Sequence, residues 1–344
     1  MFFINRRKFI QQSSVALAGA YSVATLTHAE SDNHSARFKA DVSSKKIIEE
    51  IEQNIPQMIE EFSVPGLSAA LIKDAKVVWS KGFGVRSIDT KEPVTTETIF
   101  EAASLSKPVF AYAALKLCKK GALDLDKPLT DYLPQPYITD EPRIKQVTAR
   151  HVLTHTTGFP NWRNGPNLKF IYNPGERFSY SGEGFVYLQT IVEKITAKPL
   201  NVYLTQEIFE PFAMKSSSFI WLEKFASSTA IGHDPQGKVS YKGKPDKANA
   251  AASLHTTAGD YAKFVAEVLK PSNKDNFHLS ETMTNAMLKS QVPVNDSVAW
   301  GLGWGVQVAK TGESFFHWGN NNNRFKNFIV FVARKPGSAE INNF

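Results

Sequence analysis

Two side chains spaced for covalent chemistry stand in the run Ser104-Leu105-Ser106-Lys107. Residues at i and i+3 of a helix share a face, so a helix opening here sets the Ser104 hydroxyl beside the Lys107 amine. The N-terminal end of a helix also favours negative charge where the serine sits. An amine beside a hydroxyl activates an otherwise weak nucleophile. Ser106 has no lysine three residues on, which selects Ser104 as the candidate. The pattern is common by chance, so its partners decide. Tyr180-Ser181-Gly182 offers a phenol whose pKa a neighbouring ammonium would lower, suiting it to shuttle protons. His317-Trp318-Gly319 ends a predicted strand, and Gly319 lets a substrate backbone approach the strand edge. Leu153-Thr154-His155-Thr156-Thr157-Gly158 reads as a helix-ending turn.

The elements that must position these groups are legible in outline. A helix from about residue 43 puts Ile47, Ile48 and Ile51 on one face, and Pro56 is expected to interrupt or kink it. Apolar runs at 66–72 and 76–84 flank Asp74-Ala75 and predict an antiparallel hairpin. The helix carrying Ser104 is expected to run to about Lys119 and stop at Gly121. Thr148 suits the cap of a short helix, and helical periodicity marks 183–195 and 201–209. Thr257 opens a helix to about 269 and Ser280 one through 289. Strands return at 301–308, 314–317 and 327–333. Strands, then helices, then strands describe an α+β protein whose sheet is built from both ends of the chain, with a helical lobe between.

With 344 residues, 42% hydrophobic and 12% aromatic, the chain holds a sizeable core and is not broadly disordered. Arg6, Arg7 and Lys8 supply three of the +7 formal charges. No dense basic stripe interleaved with aromatics appears, so no nucleic-acid partner is expected. The paired arginines, an apolar run from about Val15 to Leu26 and then Thr27-His28-Ala29 read as a twin-arginine export signal over 1–29. That implies the twin-arginine export machinery as a partner, a flexible lead-in at 30–42, and a periplasmic or extracellular location. A general secretory signal or an uncleaved anchor are the alternatives. The apolar run is too short to span a bilayer comfortably, so no integral membrane span is expected after cleavage. The one cysteine, Cys118, has no internal disulfide partner and falls in the apolar pattern of a helix, as an inert core thiol. His151 and His155 lack the glutamate of a zinc helix. Gly82 and Gly84 lack the third glycine of a dinucleotide fingerprint, and no G-x-S-x-G elbow occurs. No metal and no cofactor is expected.

In combination, Ser-x-x-Lys, Leu-Thr-His-Thr-Thr-Gly, Tyr-Ser-Gly and His-Trp-Gly, in that order, resemble the serine β-lactamase-like family. That family holds class C β-lactamases, D-Ala-D-Ala carboxypeptidases and related esterases. The resemblance runs from about residue 43 to 335. It includes Gly82-Phe83-Gly84-Val85, Pro93-Val94, Leu123-Asp124-Leu125-Asp126, Ile208-Phe209-Glu210-Pro211-Phe212-Ala213-Met214 and Gly301-Leu302-Gly303-Trp304-Gly305. It implies a β-lactamase/transpeptidase-like α+β fold over 43–344, an antiparallel sheet flanked by helices plus an inserted all-helical lobe. The α/β lobe would take about 43–120 and 290–344, the helical lobe about 121–289. It also implies roles. Ser104 would be acylated, and Lys107 and Tyr180 would share the general-base work. The backbone N–H groups of Ser104 and Asn320, beside Gly319, would form the oxyanion hole, and His317 would orient substrate or tune the tyrosine.

Read without the resemblance, Ser104 and Lys107 also fit a capping serine with a solvated lysine, Tyr180 a packing aromatic and His317 a satisfied strand-end histidine. Two departures from the family pattern matter. Gly182 stands where efficient β-lactamases carry an asparagine that grips the substrate side chain, and His317 where they usually carry lysine. A histidine is only partly charged near neutral pH. The expectation is therefore an exported serine hydrolase on an ester, a D-Ala-D-Ala-type peptide or another peptidoglycan-like or small-molecule substrate, with β-lactams less favoured. The alternative is a non-catalytic envelope protein that binds peptidoglycan or a β-lactam. Relatives usually continue with a further strand and helix where this sequence ends at Phe344, which leads one to expect an exposed sheet edge and an uncovered apolar face.

Overall fold

The computed structural model describes residues 44–333, apart from positions 166, 235, 241–242, 310–311 and 323. The export signal read at 1–29, the lead-in at 30–42 and the end of the chain at 334–344 lie outside the described residues.

Helix α1 (Ser44–Glu61) contains Pro56, where an interruption or a kink was expected, and is not interrupted there. A proline withholds one N–H from the helix ladder, and side-chain tethers hold the helix across that point. Glu52 accepts a hydrogen bond from Trp79 Nε1 at 2.9 Å and pairs with Lys81 at 2.8 Å. Both partners lie on the hairpin of β1 (Gly66–Lys73) and β2 (Lys76–Gly84). Its turn residues Asp74 and Ala75 both take positive φ, the geometry that matches the twist of the flanking strands.

Helix α2 (Ser106–Lys119) is the centre of the molecule, buried continuously from Ser106 to Leu117. Its small and apolar residues face every direction, the pattern of a helix with no solvent side. Gly121, with φ +71°, ends it in the left-handed conformation. The surrounding helices are α3 (Ala149–Leu153), α4 (Gly182–Thr196), α5 (Leu200–Leu204), α6 (Ala258–Val268) and α7 (Glu281–Leu288). Thr148, Thr257 and Ser280 cap α3, α6 and α7 as read, and Ser181 caps α4 by accepting from Gly184 N. Cys118 packs against the core, and burial pushes its thiol up to about 12.

Strand β3 (Phe100–Glu101) pairs with β4 (His255–Thr256), joining the chain ahead of Ser104 to the chain ahead of α6. The C-terminal strands form an antiparallel sheet of β5 (Val292–Pro293), β6 (Val298–Trp300), β7 (Gly305–Ala309), β8 (Gly312–Asn321) and β9 (Phe325–Phe331), in that spatial order. The strand expected over 301–308 starts late, because Gly301–Gly303 make the turn between β6 and β7, with Gly303 at φ +90°. Among the described residues the hairpin and this sheet are separate ladders rather than the one sheet expected from both ends of the chain. Hairpin pairing is written in local turns, whereas pairing between distant segments leaves no local trace. The α+β architecture stands, with helices packed around α2.

Candidate active site

Ser104 sits in a tight turn of 3₁₀ helix, Ala103–Leu105, immediately before α2 rather than in the first turn of the α-helix. Ala103 is held at φ +51°, a left-handed conformation that costs a non-glycine residue about 1–3 kcal/mol. The surroundings over-determine it. Ser106 Oγ donates to Ala103 O at 2.6 Å and accepts from Leu254 N at 3.0 Å. Ala102 N donates to Leu254 O, and Tyr261 Oη donates to Leu105 O at 3.1 Å. The second serine is thus fully occupied in holding the turn, and Ser104 is left partly exposed.

On the opposite side lies β8. Strand β7 begins at Gly305, opposite Phe316, so the stretch of β8 after Phe316 has no strand on that edge among the described residues. The Ser104 turn fills the place. A Cβ at Gly319 would lie 2.4 Å from Ala102 O and 3.1 Å from Ser104 N, which only glycine allows. Asn320, exposed, follows directly.

Lys107 is fully buried. Its Nζ lies 3.0 Å from Ser104 Oγ and donates to Ala251 O at 2.8 Å. It also sits over the rings of Tyr180 and Phe185, at 4.8 and 5.7 Å from their centroids. Burial pulls its pKa down to about 7, because a dry site disfavours the ammonium. A substantial fraction of the amine is then neutral at neutral pH, with a lone pair for the serine proton.

Tyr180 departs from the sequence reading. Its pKa is raised well above the ordinary value by burial, with the Ser104 hydroxyl offsetting only part of the shift. The expected lowering assumed a persistent ammonium beside it, and the same burial that raises the phenol weakens that cation. The Tyr180 hydroxyl is buried and makes no well-formed hydrogen bond among the described residues.

His317 lies on β8, fully buried. Its Nδ1 donates to Trp318 O at 2.8 Å, since a carbonyl can only accept, which leaves Nε2 an acceptor. Burial first, then Lys107, pushes its pKa down to about 3. The partial charge expected at neutral pH is therefore absent. Gly182 opens α4, and the ring of Trp162 occupies the place where a side chain at 182 would go. Sequence reasoning passed over Trp162 and the Ala251 carbonyl. Neither carries a local signal, because both reach the site from distant loops. His155 likewise read only as part of a turn. Its Nδ1 accepts from Ser181 N at 3.0 Å and its carbonyl accepts from Ser179 N at 2.7 Å, bracketing Tyr180. His151 Nδ1 accepts from Thr148 N instead, so the two histidines serve separate backbone groups.

Ser104, Lys107, Tyr180, His317 and Gly319 thus converge from three parts of the chain. Among known proteins, the family model Beta-lactamase matches residues 51–337. The chain is 25% identical over 308 residues to Protein flp of Staphylococcus aureus strain N315, covering 83% of this chain and 61% of that protein. It is 24% identical over 338 residues to an N-acetylmuramyl-L-alanine amidase of Bacillus subtilis strain 168, covering 80% and 74%. The octameric penicillin-binding protein homologue from Pyrococcus abyssi superposes with a TM-score of 0.70 at 26% identity, over 83% of this chain and 71% of that one. The chain spans about three fifths of the length of the flp proteins it matches.

Proposed function

The chain belongs to the β-lactamase family, and on that premise we propose that it is a serine hydrolase that forms an acyl-enzyme at Ser104. The observation that carries the reading is the Lys107 Nζ to Ser104 Oγ contact of 3.0 Å in a dry site where the amine's pKa falls to about 7. Ser104 Oγ attacks the substrate carbonyl carbon while its proton passes to Lys107 Nζ. Tyr180, a neutral phenol in the resting site, gives its O–H proton to the departing oxygen or nitrogen as Lys107 hands it the proton taken from Ser104. Water then adds to the acyl carbon with Lys107 again taking a proton, the acid leaves, and Ser104 is restored. The backbone N–H groups of Ser104 and Asn320 receive the oxyanion, each such donor contributing about 10²–10³ in rate.

The substrate class follows from what the site lacks. A substrate carboxylate is best gripped by a fixed cation, and His317 is neutral and buried. Gly182 offers no amide. Both favour a neutral ester over a β-lactam or a D-Ala-D-Ala peptide. The test is a turnover panel of p-nitrophenyl esters, a D-Ala-D-Ala peptide and a chromogenic cephalosporin, on wild type and Ser104→Ala. Ester cleavage above the Ser104→Ala background, exceeding cephalosporin cleavage, is expected. Saturable binding without any Ser104-dependent turnover would replace the reading with a non-catalytic ligand-binding protein. We further propose export, on the Arg6-Arg7 pair ahead of a short apolar run. Cytoplasmic retention on Arg6→Lys/Arg7→Lys would support it, and unchanged fractionation would refute it.

A further inference from the structure

The segment that delivers Tyr180 to the nucleophile also aims position 182 at the same side. Ser181 is extended, with φ −138° and ψ 114°, so the side chains on either side of it point the same way. The Tyr180 ring lies 4.8 Å from Lys107 Nζ, the atom in contact with Ser104 Oγ. What occupies the space beside it is the indole of Trp162: a Cβ on Gly182 would lie 2.7 Å from Cη2 and 2.8 Å from Cζ2. The ring is held there from both sides. Asn161 Oδ1 accepts from Gly182 N and Asn161 O from Glu183 N, both at 2.9 Å. Ser181 Oγ donates to Pro160 O, and Arg163 Nε donates to the buried Glu183 carboxylate at 2.8 Å. Despite this strapping, Trp162 is 46% exposed. A large apolar face is thus fixed by the backbone on either side and presented to solvent against position 182, two residues from Tyr180. A second indole, Trp318, 39% exposed, stacks on Tyr180 at 6.1 Å.

We propose that Trp162 sets the acyl specificity of this site, stacking an aromatic or bulky apolar acyl group where a side chain at 182 would have hydrogen-bonded a polar one. The proposal rests on the acyl-serine reading and names its substrate class: esters of arylacetic-type acids. A planar acyl group against the indole gains an aromatic contact that an acetyl group cannot make.

The experiment compares kcat/KM for p-nitrophenyl phenylacetate and p-nitrophenyl acetate in wild type, Trp162→Phe and Trp162→Ala. It is paired with a titration of each variant, in the Ser104→Ala background, with the unreactive phenylacetamide. The phenylacetyl-to-acetyl ratio is expected to fall about fivefold in Trp162→Ala and to stay near wild type in Trp162→Phe. Phenylacetamide affinity should weaken in parallel. Should Trp162→Ala melt early, Trp162→Leu keeps the bulk without the π-face and gives the same comparison. A ratio and an affinity both indifferent to Trp162→Ala or Trp162→Leu overturn the proposal. Trp162-dependent affinity with no Ser104-dependent turnover would sink the acyl-serine reading while upholding Trp162 as the ligand-binding wall.

Discussion

The imidazole of His155 lies flat against the ring of Tyr180, with centroids 4.1 Å apart and planes 28° from parallel. Hydrogen bonds from Ser179 N and Ser181 N to the same histidine fix the backbone on each side of the tyrosine. His155 itself holds φ +57°, a conformation that asparagine tolerates and leucine does not. His155 is therefore a positioning residue for Tyr180. Asparagine keeps an acceptor close to the place of Nδ1, so His155→Asn should retain most of kcat. His155→Leu should lower kcat at least tenfold with little change in KM. It leaves the Ser181 N–H buried and unpaired, at about 1–3 kcal/mol, read as a lower melting temperature. Equal kcat in the two variants would remove His155 from the site.

On the acyl-serine reading, Lys107 should give the rate its pH dependence. With its pKa near 7, kcat/KM should rise through neutral pH as the amine loses its proton and becomes the base. Stability shifts the same way. The unfolded lysine titrates near its ordinary 10.5, so between about 7 and 10.5 the unfolded chain binds more protons and stability increases with pH. Lys107→Met should abolish acylation and flatten that part of the stability profile. A pH-rate profile without an ascending limb near 7 would show that another group is the base.

Acid should destabilise the protein through His317 and His155. Both are fully buried, and burial lowers both pKa values, His317 to about 3. As pH falls below 6.5 the unfolded histidines take up protons that the folded ones refuse. Stability therefore drops from about pH 6.5 towards 3, by up to about 1.4 kcal/mol per pH unit for each histidine. Denaturant midpoints at pH 7 and 4.5 check this. His317→Asn should narrow the gap between them, and an unchanged gap would rule His317 out as a source.

These predictions draw unequally on sequence. The caps at Thr148, Thr257 and Ser280, the Asp74-Ala75 hairpin and the α2 helix ending at Gly121 are local features, and each appears where its residues place it. The pairing of Ser104 with Lys107 was legible because i and i+3 are neighbours on one helix face. The turn that holds Ser104 was less so, since Ala103 takes positive φ only because Ser106, Leu254 and Gly319 enclose it. Charge states were read least well. Tyr180 and His317 are shifted by burial, and the depth of a side chain is fixed by tertiary packing that their neighbours in sequence do not encode.

The two serines of the motif provide the sharpest test of that enclosure. Ser106 Oγ is buried and bridges Ala103 O and Leu254 N, whereas Ser104 Oγ is partly exposed and touches Lys107. Ser106→Ala should therefore cost stability, about 1–3 kcal/mol for the Leu254 N–H left unpaired in the core. It should still take a fluorophosphonate label, more slowly because the strained Ala103 turn loses its brace. Ser104→Ala should behave in the opposite way, melting within about 0.5 kcal/mol of wild type and taking no label. Intact mass and thermal melts of the two variants decide the matter. A label that survives Ser104→Ala and disappears in Ser106→Ala would transfer the nucleophile to the wrong side of the turn and overturn the site.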